Sequence, residues 1–141
     1  MASDRQRLSR LHRLERVRAI AKDAAAAEAA QAEGTLAQLV ALADRVTALA
    51  TDYAARDDAP DALSLQQLVR FAGGLRTVSQ TTRGDASQAR GVADRKQADL
   101  AHAERRRAAV EERALDEARA IAARQIAPAI GARRATGTGL E

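Results

Sequence analysis

The sequence predicts an all-α fold, a long antiparallel two-helix coiled-coil hairpin with a disordered C-terminal tail. Of the 141 residues, 46% are hydrophobic and 1% are aromatic. Most of the apolar residues are alanines, which bury little surface and cannot fill a thick globular core. Ala, Leu, Arg, Glu, Asp and Gln dominate, as is typical of long helices, and proline occurs only at positions 60 and 128.

The first helix is predicted over about residues 4–56. Two sets of apolar residues recur at helical spacing, and the second set steps by three and four residues, which is a heptad seam. The first set is Leu8, Leu11, Leu14, Val17 and Ile20, and the second is Leu39, Leu42, Val46, Leu49 and Tyr53. Because the first set steps by three throughout, it drifts around the helix.

The segment RDDAPDALS, residues 56–64, predicts a loop over about 57–63. Pro60 suits a first-turn position, and Ser64 with Gln67 forms an S-x-x-Q capping box that predicts the start of the second helix at about 64. This helix is expected to run to about 127, where Pro128 ends it. We expect it to be loosened, but not broken, over residues 81–91, and residues 128–141 to form a flexible tail.

The second helix carries a seam of its own, and the short loop makes the two helices antiparallel. The seam residues are Leu65, Leu68, Ala72, Leu75, Ser79, Ala93, Leu100, Val110, Ala114 and Ile121. If the chain turns near residue 60, residues whose numbers add up to about 120 face each other. Leu49 is then expected near Phe71, and Leu42 near Val78.

Phe71 is the only phenylalanine of the chain and stands beside the only Gly–Gly pair. On a helical wheel, Phe71 and Val78 lie beside the seam, and Leu75 belongs to both sets. Glycine inside a helix costs about 1 kcal/mol of stability relative to alanine. The two glycines after Phe71 therefore suggest that access to the helix backbone has a function there. Two interpretations stay open: Phe71 caps the core near the hairpin loop, or it anchors a docking patch for a partner.

Several classes of function find no residues to support them. The chain has no cysteine, which removes disulfides and thiol chemistry, and it has no apolar run near 20 residues and no hydrophobic signal core. His12 and His102 with nearby glutamates make a poor metal site. No nucleophile–base arrangement or phosphate-binding loop occurs, so we expect a soluble cytoplasmic non-enzyme without a cofactor or metal.

The positive charge is concentrated at the amino-terminal end. The net charge is +4, and residues 1–22 contain seven cations against two acids. An Arg-rich helical nucleic-acid-binding or surface-coating protein is therefore an alternative function. The drifting apolar stripe and the lack of aromatic residues for base stacking argue against it.

Four motifs together resemble the FliJ family of flagellar type III export proteins. They are a basic start with L-x-x-L-x-x-V, a seam that ends in Tyr before the loop, Q-x-x-x-F-x-x-x-L after it, and R-R-R-x-x-x-E-E-R in the second half. The resemblance implies a coiled-coil stalk like that of rotary ATP synthases. Its open end would enter a hexameric export ATPase, and the region near its loop would contact the transmembrane export gate.

The resemblance also implies roles for individual residues. Gate binding would fall to Phe71, Leu75, Val78 and Thr82, with a neighbouring first-helix face of Leu42, Val46, Leu49 and Tyr53. The ATPase-facing basic end would consist of Arg10, Arg13, Arg16, Arg106, Arg107 and Arg113. By the same resemblance, we expect a cytoplasmic protein that serves motility, is peripherally associated with the inner membrane at the flagellar base, binds no nucleic acid, and is a monomer when alone. The resemblance leaves open whether export chaperones are further partners.

Overall fold

The structure, a computed structural model, describes the backbone of residues 2–56 and 58–135 and the side chains of residues 2–56 and 58–127. Helix α1 spans Ala2–Ala54 and helix α2 spans Ala62–Ala135. The two helices pack against each other in antiparallel directions, and the described residues contain no strand. The predicted fold class is therefore confirmed.

The start of α2 differs from the prediction by two residues. The carboxylate of Asp61 accepts a hydrogen bond from the backbone N–H of Ser64 at 2.7 Å, which makes Asp61 the N-cap. The capping box predicted at Ser64 and Gln67 is therefore wrong. Asp61 captures an N–H group of the first turn, so the helix begins at Ala62.

Helix α2 is continuous through residues 81–91 and through Pro128. The end predicted at residue 127 is wrong, because α2 extends to Ala135. Proline removes one backbone hydrogen bond, but its fixed φ is compatible with a helix, so the chain can continue. Of the predicted tail, residues 136–141 lie outside the described residues.

The chain divides into two compact units. The first, called the loop unit here, is Ala25–Asp99 and contains the loop between the helices. The second, called the terminal unit, combines Met1–Ala24 with Leu100–Glu141.

Small side chains form the seam of the loop unit. At the a position of the heptad, α1 buries three alanines, and α2 buries three alanines and one serine. These residues are Ala29, Ala43, Ala50, Ala72, Ser79, Ala86 and Ala93. Larger d residues such as Leu39, Val46 and Leu75 are half-buried beside them. Small residues allow close approach of two helices, so this seam is stabilised by tight contact more than by side-chain volume.

The seam predicted for α1 is consequently wrong at two positions. Leu42 and Leu49 are 46% and 44% exposed, whereas Ala43 and Ala50 are each 2% exposed. Leu39, Val46 and Tyr53, the d residues of α1, belong to two possible stripes. One stripe also contains Leu42 and Leu49, and the other contains Ala43 and Ala50. Both stripes step by three and four residues, and close packing against the small residues of α2 selects the second.

The seam predicted for α2 is confirmed except at its start. Ala72, Ser79, Ala93, Val110 and Ala114 are buried, and Leu68, Leu75, Leu100 and Ile121 are half-buried. Leu65 is 47% exposed. It lies in the first turns of α2, beyond the level at which α1 has ended, so no helix covers it.

The register in the loop unit differs from the predicted one by about one helical turn. Phe71 contacts Tyr53 rather than Leu49, and Ser79 contacts Thr47. The register is set by the packing of the two heptad seams against each other, and the midpoint of the loop does not determine it.

One polar contact lies within the seam of the loop unit. The hydroxyl of Thr47 donates to the carbonyl oxygen of Ala43 at 2.8 Å, which leaves the hydroxyl of Ser79 as the donor to Thr47 Oγ1, 2.6 Å away. Arg83 Nη2 also donates to Thr47 Oγ1 at 3.2 Å. Ser79 is 6% exposed, and this network satisfies its buried hydroxyl.

In the terminal unit, the apolar residues of α1 leave the seam one after another. Leu8 and Leu11 are half-buried, Leu14 is 38% exposed, and Val17 and Ile20 are 59% and 69% exposed. This confirms the drift predicted from steps of three. Charged residues fill the seam positions that follow, namely Glu15, Arg18 and Lys22 on α1 with Arg107 and Glu117 on α2.

Candidate docking surface

An aromatic pair connects the two helices of the loop unit near the loop. The rings of Tyr53 and Phe71 meet edge to face, with centroids 4.7 Å apart and an interplanar angle of 72°. The guanidinium of Arg56 lies 4.4 Å from the centroid of the Tyr53 ring, at cation–π distance. Phe71 caps the end of the seam, yet it remains 49% exposed, so half of it is available to a partner.

A row of exposed apolar residues follows α2 away from the loop. Phe71 and Val78 stand one heptad apart and are 49% and 51% exposed, with Leu75 half-buried between them. Ala72 and Ser79, the next residues in sequence, are buried in the seam. The prediction that Phe71 and Val78 lie beside the seam is therefore confirmed.

A matching row follows α1. Leu42 and Leu49 are also one heptad apart, and each directly precedes a buried alanine of the seam. Val46 and Tyr53 are half-buried next to this row. The four residues predicted for the first helix thus divide into two exposed and two half-buried ones.

Both rows lie on the same side of the loop unit. Each row occupies the g position, and in an antiparallel pair the g positions of the two helices flank the same edge of the seam. A cleft of about 620 Å³ is lined by both Arg56 and Phe71. A groove of about 430 Å³ is lined by both Thr35 and Val92, which belong to the same two rows. This surface, formed by Leu42, Leu49, Phe71 and Val78, is called the apolar side below.

Thr82 is not part of the apolar side. It is 6% exposed, and its hydroxyl donates to the carbonyl oxygen of Val78 at 2.8 Å. Thr82 follows Leu75 by seven residues and therefore continues the d row of the seam. The assignment of Thr82 to a partner-contacting surface is corrected accordingly.

The opposite side of the loop unit carries a row of arginines on α2 beside two exposed valines, Val40 and Val69. Arg76, Arg83 and Arg90 recur every seven residues at the e position of α2 and are exposed. Arg83 lies 3.9 Å from Asp44 and donates to Thr47. The loop unit therefore presents an apolar side and a basic side on different edges of the same seam.

Asp61 fixes the loop at the start of α2. Its pKa lies below its ordinary value of 3.8, first because the carboxylate accepts a hydrogen bond from the backbone N–H of Ser64. The Ser64 hydroxyl lowers the pKa further, desolvation opposes this shift, and the Leu63 N–H makes the last lowering contribution. The loop thus positions Phe71 through a capped helix start, since Phe71 lies in the third turn of α2.

The six arginines predicted for the basic end do not share one face. In the terminal unit, Arg10 and Arg113 line a cleft of about 620 Å³ together with Arg7 and Leu14. Arg106 precedes Arg113 by one heptad and so lies on the same edge. Of the others, Arg13 and Arg16 are exposed at different positions around α1, and Arg107 is half-buried in the seam.

An ion-pair network that sequence reasoning missed ties the start of α1 to α2 within the terminal unit. Arg124 Nη1 lies 3.1 Å from Asp4, and Arg7 lies 3.1 Å from Asp4 and 3.8 Å from Glu117. Glu117 is also 3.6 Å from Arg124. These pairs are partly exposed, so each adds little stability, and they show that the first turns of α1 lie level with Glu117 and Arg124 of α2. Because they depend on the register, no sequence pattern marks them.

Neither a metal centre nor a membrane span emerges from residues 2–56 and 58–127. In this part of the chain, no three His, Asp or Glu residues are grouped as metal ligands. His12 Nδ1 lies 3.7 Å from Glu15. No helix here is long and apolar enough to cross a membrane.

Comparisons of the chain with protein-family models, curated proteins and solved structures found no match.

Proposed function

We propose that this chain is a non-enzymatic coupling protein of a flagellar type III export apparatus, which links a hexameric export ATPase to the transmembrane export gate. One observation carries the proposal. On the apolar side, four large side chains on two helices are 44% to 51% exposed. Together with the resemblance to the FliJ family, this exposure supports a docking role, because such patches in soluble proteins usually mark interaction sites.

The apolar side has the features of a binding hot spot. Phe71 is an aromatic anchor held in place by Tyr53, so little freedom of its ring is lost when a partner binds. Val78 follows it by one heptad on α2, and Leu49 lies on the same side on α1. An export gate that contacts this region would bury apolar area from both helices at once.

The cleft that contains Arg7, Arg10 and Arg113 supports the second half of the proposal. These three arginines outnumber the two acids of the same cleft, Asp116 and Glu117, and the remaining positive charge beside Leu14 suits an acidic protein surface. On this proposal, carboxylates of the export ATPase contact the terminal unit, and the association rate falls as salt rises. The protein would act in the cytoplasm at the flagellar base, peripherally associated with the inner membrane.

The experiment that tests the gate contact is the double substitution Phe71→Ala with Val78→Ala. Both side chains are about half exposed, so the helical signal should change little, while affinity for the purified cytoplasmic part of the gate falls roughly tenfold or more. Motility should fall with it. The matched control is Val40→Ala with Val69→Ala, which truncates two exposed residues outside the apolar side. Gate binding as strong as that of the control would refute the proposal.

The strong basicity of the chain favours one competing function, an Arg-rich nucleic-acid-binding or surface-coating protein. The sequence pI is about 10.5. Such a protein would bind DNA or RNA with an affinity that falls steeply as salt rises: the logarithm of the binding constant decreases linearly with the logarithm of the salt concentration. Retention of an export ATPase at physiological salt, without retention of nucleic acid, would favour the coupling function.

A further inference from the structure

Two arginines of the terminal unit occupy the same level of the seam. Arg7 lies level with Glu117, to which it is ion-paired at 3.8 Å. Arg18 follows Arg7 by eleven residues on α1. Because the helices are antiparallel, Arg18 lies level with the residue eleven positions before Glu117 on α2, at about residue 106. Arg107 is the seam residue of that turn. Both arginines are half-buried, so two like charges share one layer between the helices.

The layer lacks compensating hydrogen bonds. The Nε atoms of Arg18 and Arg107 are buried and have no hydrogen-bond partner. In the same unit, Glu117 Oε1 also lacks a hydrogen bond, but it has two arginine contacts at 3.6 and 3.8 Å. A buried polar group without a partner is uncommon and points to an ion, a water molecule or a functional role.

Acids are close in sequence but do not neutralise this layer. Within residues 2–56 and 58–127, no ion pair includes Arg18, Lys22 or Arg107. Glu15, one turn before Arg18, contacts His12 instead. Lys22, half-buried at the next seam position of α1, adds a third cation. Cations that are partly removed from water favour the binding of an anion that neutralises their charge.

We infer that the layer of Arg18 and Arg107 binds an oxoanion, either free phosphate or a carboxylate of an acidic partner. Guanidinium groups present planar forks of N–H donors that match the paired oxygens of phosphate and carboxylate. Both residues are only half-buried, so an anion reaches the guanidinium groups from solvent. This inference goes beyond the proposed function, since it concerns the isolated protein and does not require an ATPase or a gate.

Thermal unfolding of the full chain with inorganic phosphate tests the inference. Phosphate is titrated against sodium chloride at constant ionic strength, and the wild type should gain stability along a saturable curve, as expected for a ligand of the folded state. The variant Arg18→Met with Arg107→Met keeps side-chain length without charge and should lose the saturable part. A weak linear rise is expected in every variant, because phosphate stabilises folded proteins by exclusion from their surface.

The matched control is Arg16→Met with Arg106→Met, which removes two exposed arginines, two residues from Arg18 and one residue from Arg107. It should keep the saturable curve. A second measurement does not depend on unfolding: the Nε–H signals of Arg18 and Arg107 in ¹H–¹⁵N spectra should shift during the titration. Equal phosphate curves for the wild type and the Arg18/Arg107 variant, or unmoved Nε–H signals, would overturn the inference.

A parallel titration with a short glutamate peptide distinguishes the two sources of the anion. Tighter saturable binding of the peptide than of phosphate assigns the layer to a partner carboxylate. Tighter binding of phosphate assigns it to a free ion. If neither probe gives a saturable response that depends on Arg18 and Arg107, the layer is not an anion site.

Discussion

The loop unit and the terminal unit use the same two helices but fill their seams with different chemistry. In the loop unit, alanine or serine fills the buried a positions, and Lys96, a half-buried charge of the α2 seam, is paired with Glu28 at 3.0 Å. In the terminal unit, charged residues occupy seam positions, and three of them carry a buried polar atom without a hydrogen bond. Close packing of small side chains stabilises the seam of the loop unit. In the seam of the terminal unit, partly buried charges are destabilising.

The difference also determines which side chains reach the surface. Where alanines fill the seam, the large residues of α1 are displaced to its edge, and Leu42 and Leu49 line the apolar side. Where charges fill the seam, Val17 and Ile20 are turned outwards. In both units, these four residues are therefore exposed because of what occupies the seam beside them.

The largest effect is expected from breaking the close packing of the loop unit. Ala43→Leu or Ala86→Leu adds volume to a seam with no room for it and should lower the free energy of unfolding by about 1–3 kcal/mol. Ala41→Leu is the control, since Ala41 is exposed on the same helix and should change stability by less than about 0.5 kcal/mol. Urea unfolding followed by far-ultraviolet circular dichroism measures both. Equal effects at Ala43 and Ala41 would contradict the seam assigned to α1.

A gain of stability is expected from removing the charged layer of the terminal unit. Arg18→Met with Arg107→Met replaces two facing cations by apolar side chains and should raise the free energy of unfolding by about 1–2 kcal/mol in chloride buffer. The exposed pair Arg16→Met with Arg106→Met should leave it nearly unchanged. A loss of stability in the first variant would mean that the arginines support the seam.

A smaller gain is expected from strengthening α2 within the loop unit. Around Gly84 and Gly91, an added Cβ would meet no atom within 4 Å, so Gly84→Ala and Gly91→Ala should each stabilise by roughly 0.5–1 kcal/mol through helix propensity. Gln88→Ala, between them on the exposed surface, serves as the control. A destabilised Gly→Ala variant would show that these positions need backbone freedom.

The smallest effect concerns the cap of α2. Because the pKa of Asp61 is lowered in the folded state, its contribution to stability is present above its ordinary value of 3.8 and is lost as the pH falls through the folded pKa. Asp61→Asn keeps a capping oxygen and should remove this part of the acid dependence. Melting temperatures between pH 5 and pH 2 compare the two proteins. Identical acid profiles would contradict the capping role of Asp61.

Part of the docking surface could be predicted from the sequence. The angle of Phe71 and Val78 relative to the seam follows from their spacing, and both proved exposed. Thr82 was assigned through the resemblance, although its spacing of seven from Leu75 already places it in the seam. For the helix start, the sequence pattern pointed to Ser64, and the path of the loop makes Asp61 the cap instead.

By itself, the sequence determined two long helices, a reversal between them and a repeat of seven residues, because periodicity and loop residues act locally. It did not determine which of two stripes on α1 faces α2, since both satisfy the same repeat. That choice depends on steric fit across the interface: the small residues of α2 admit Ala43 and Ala50 and leave Leu42 and Leu49 outside. The register of the loop unit and the composition of its apolar side follow from that fit.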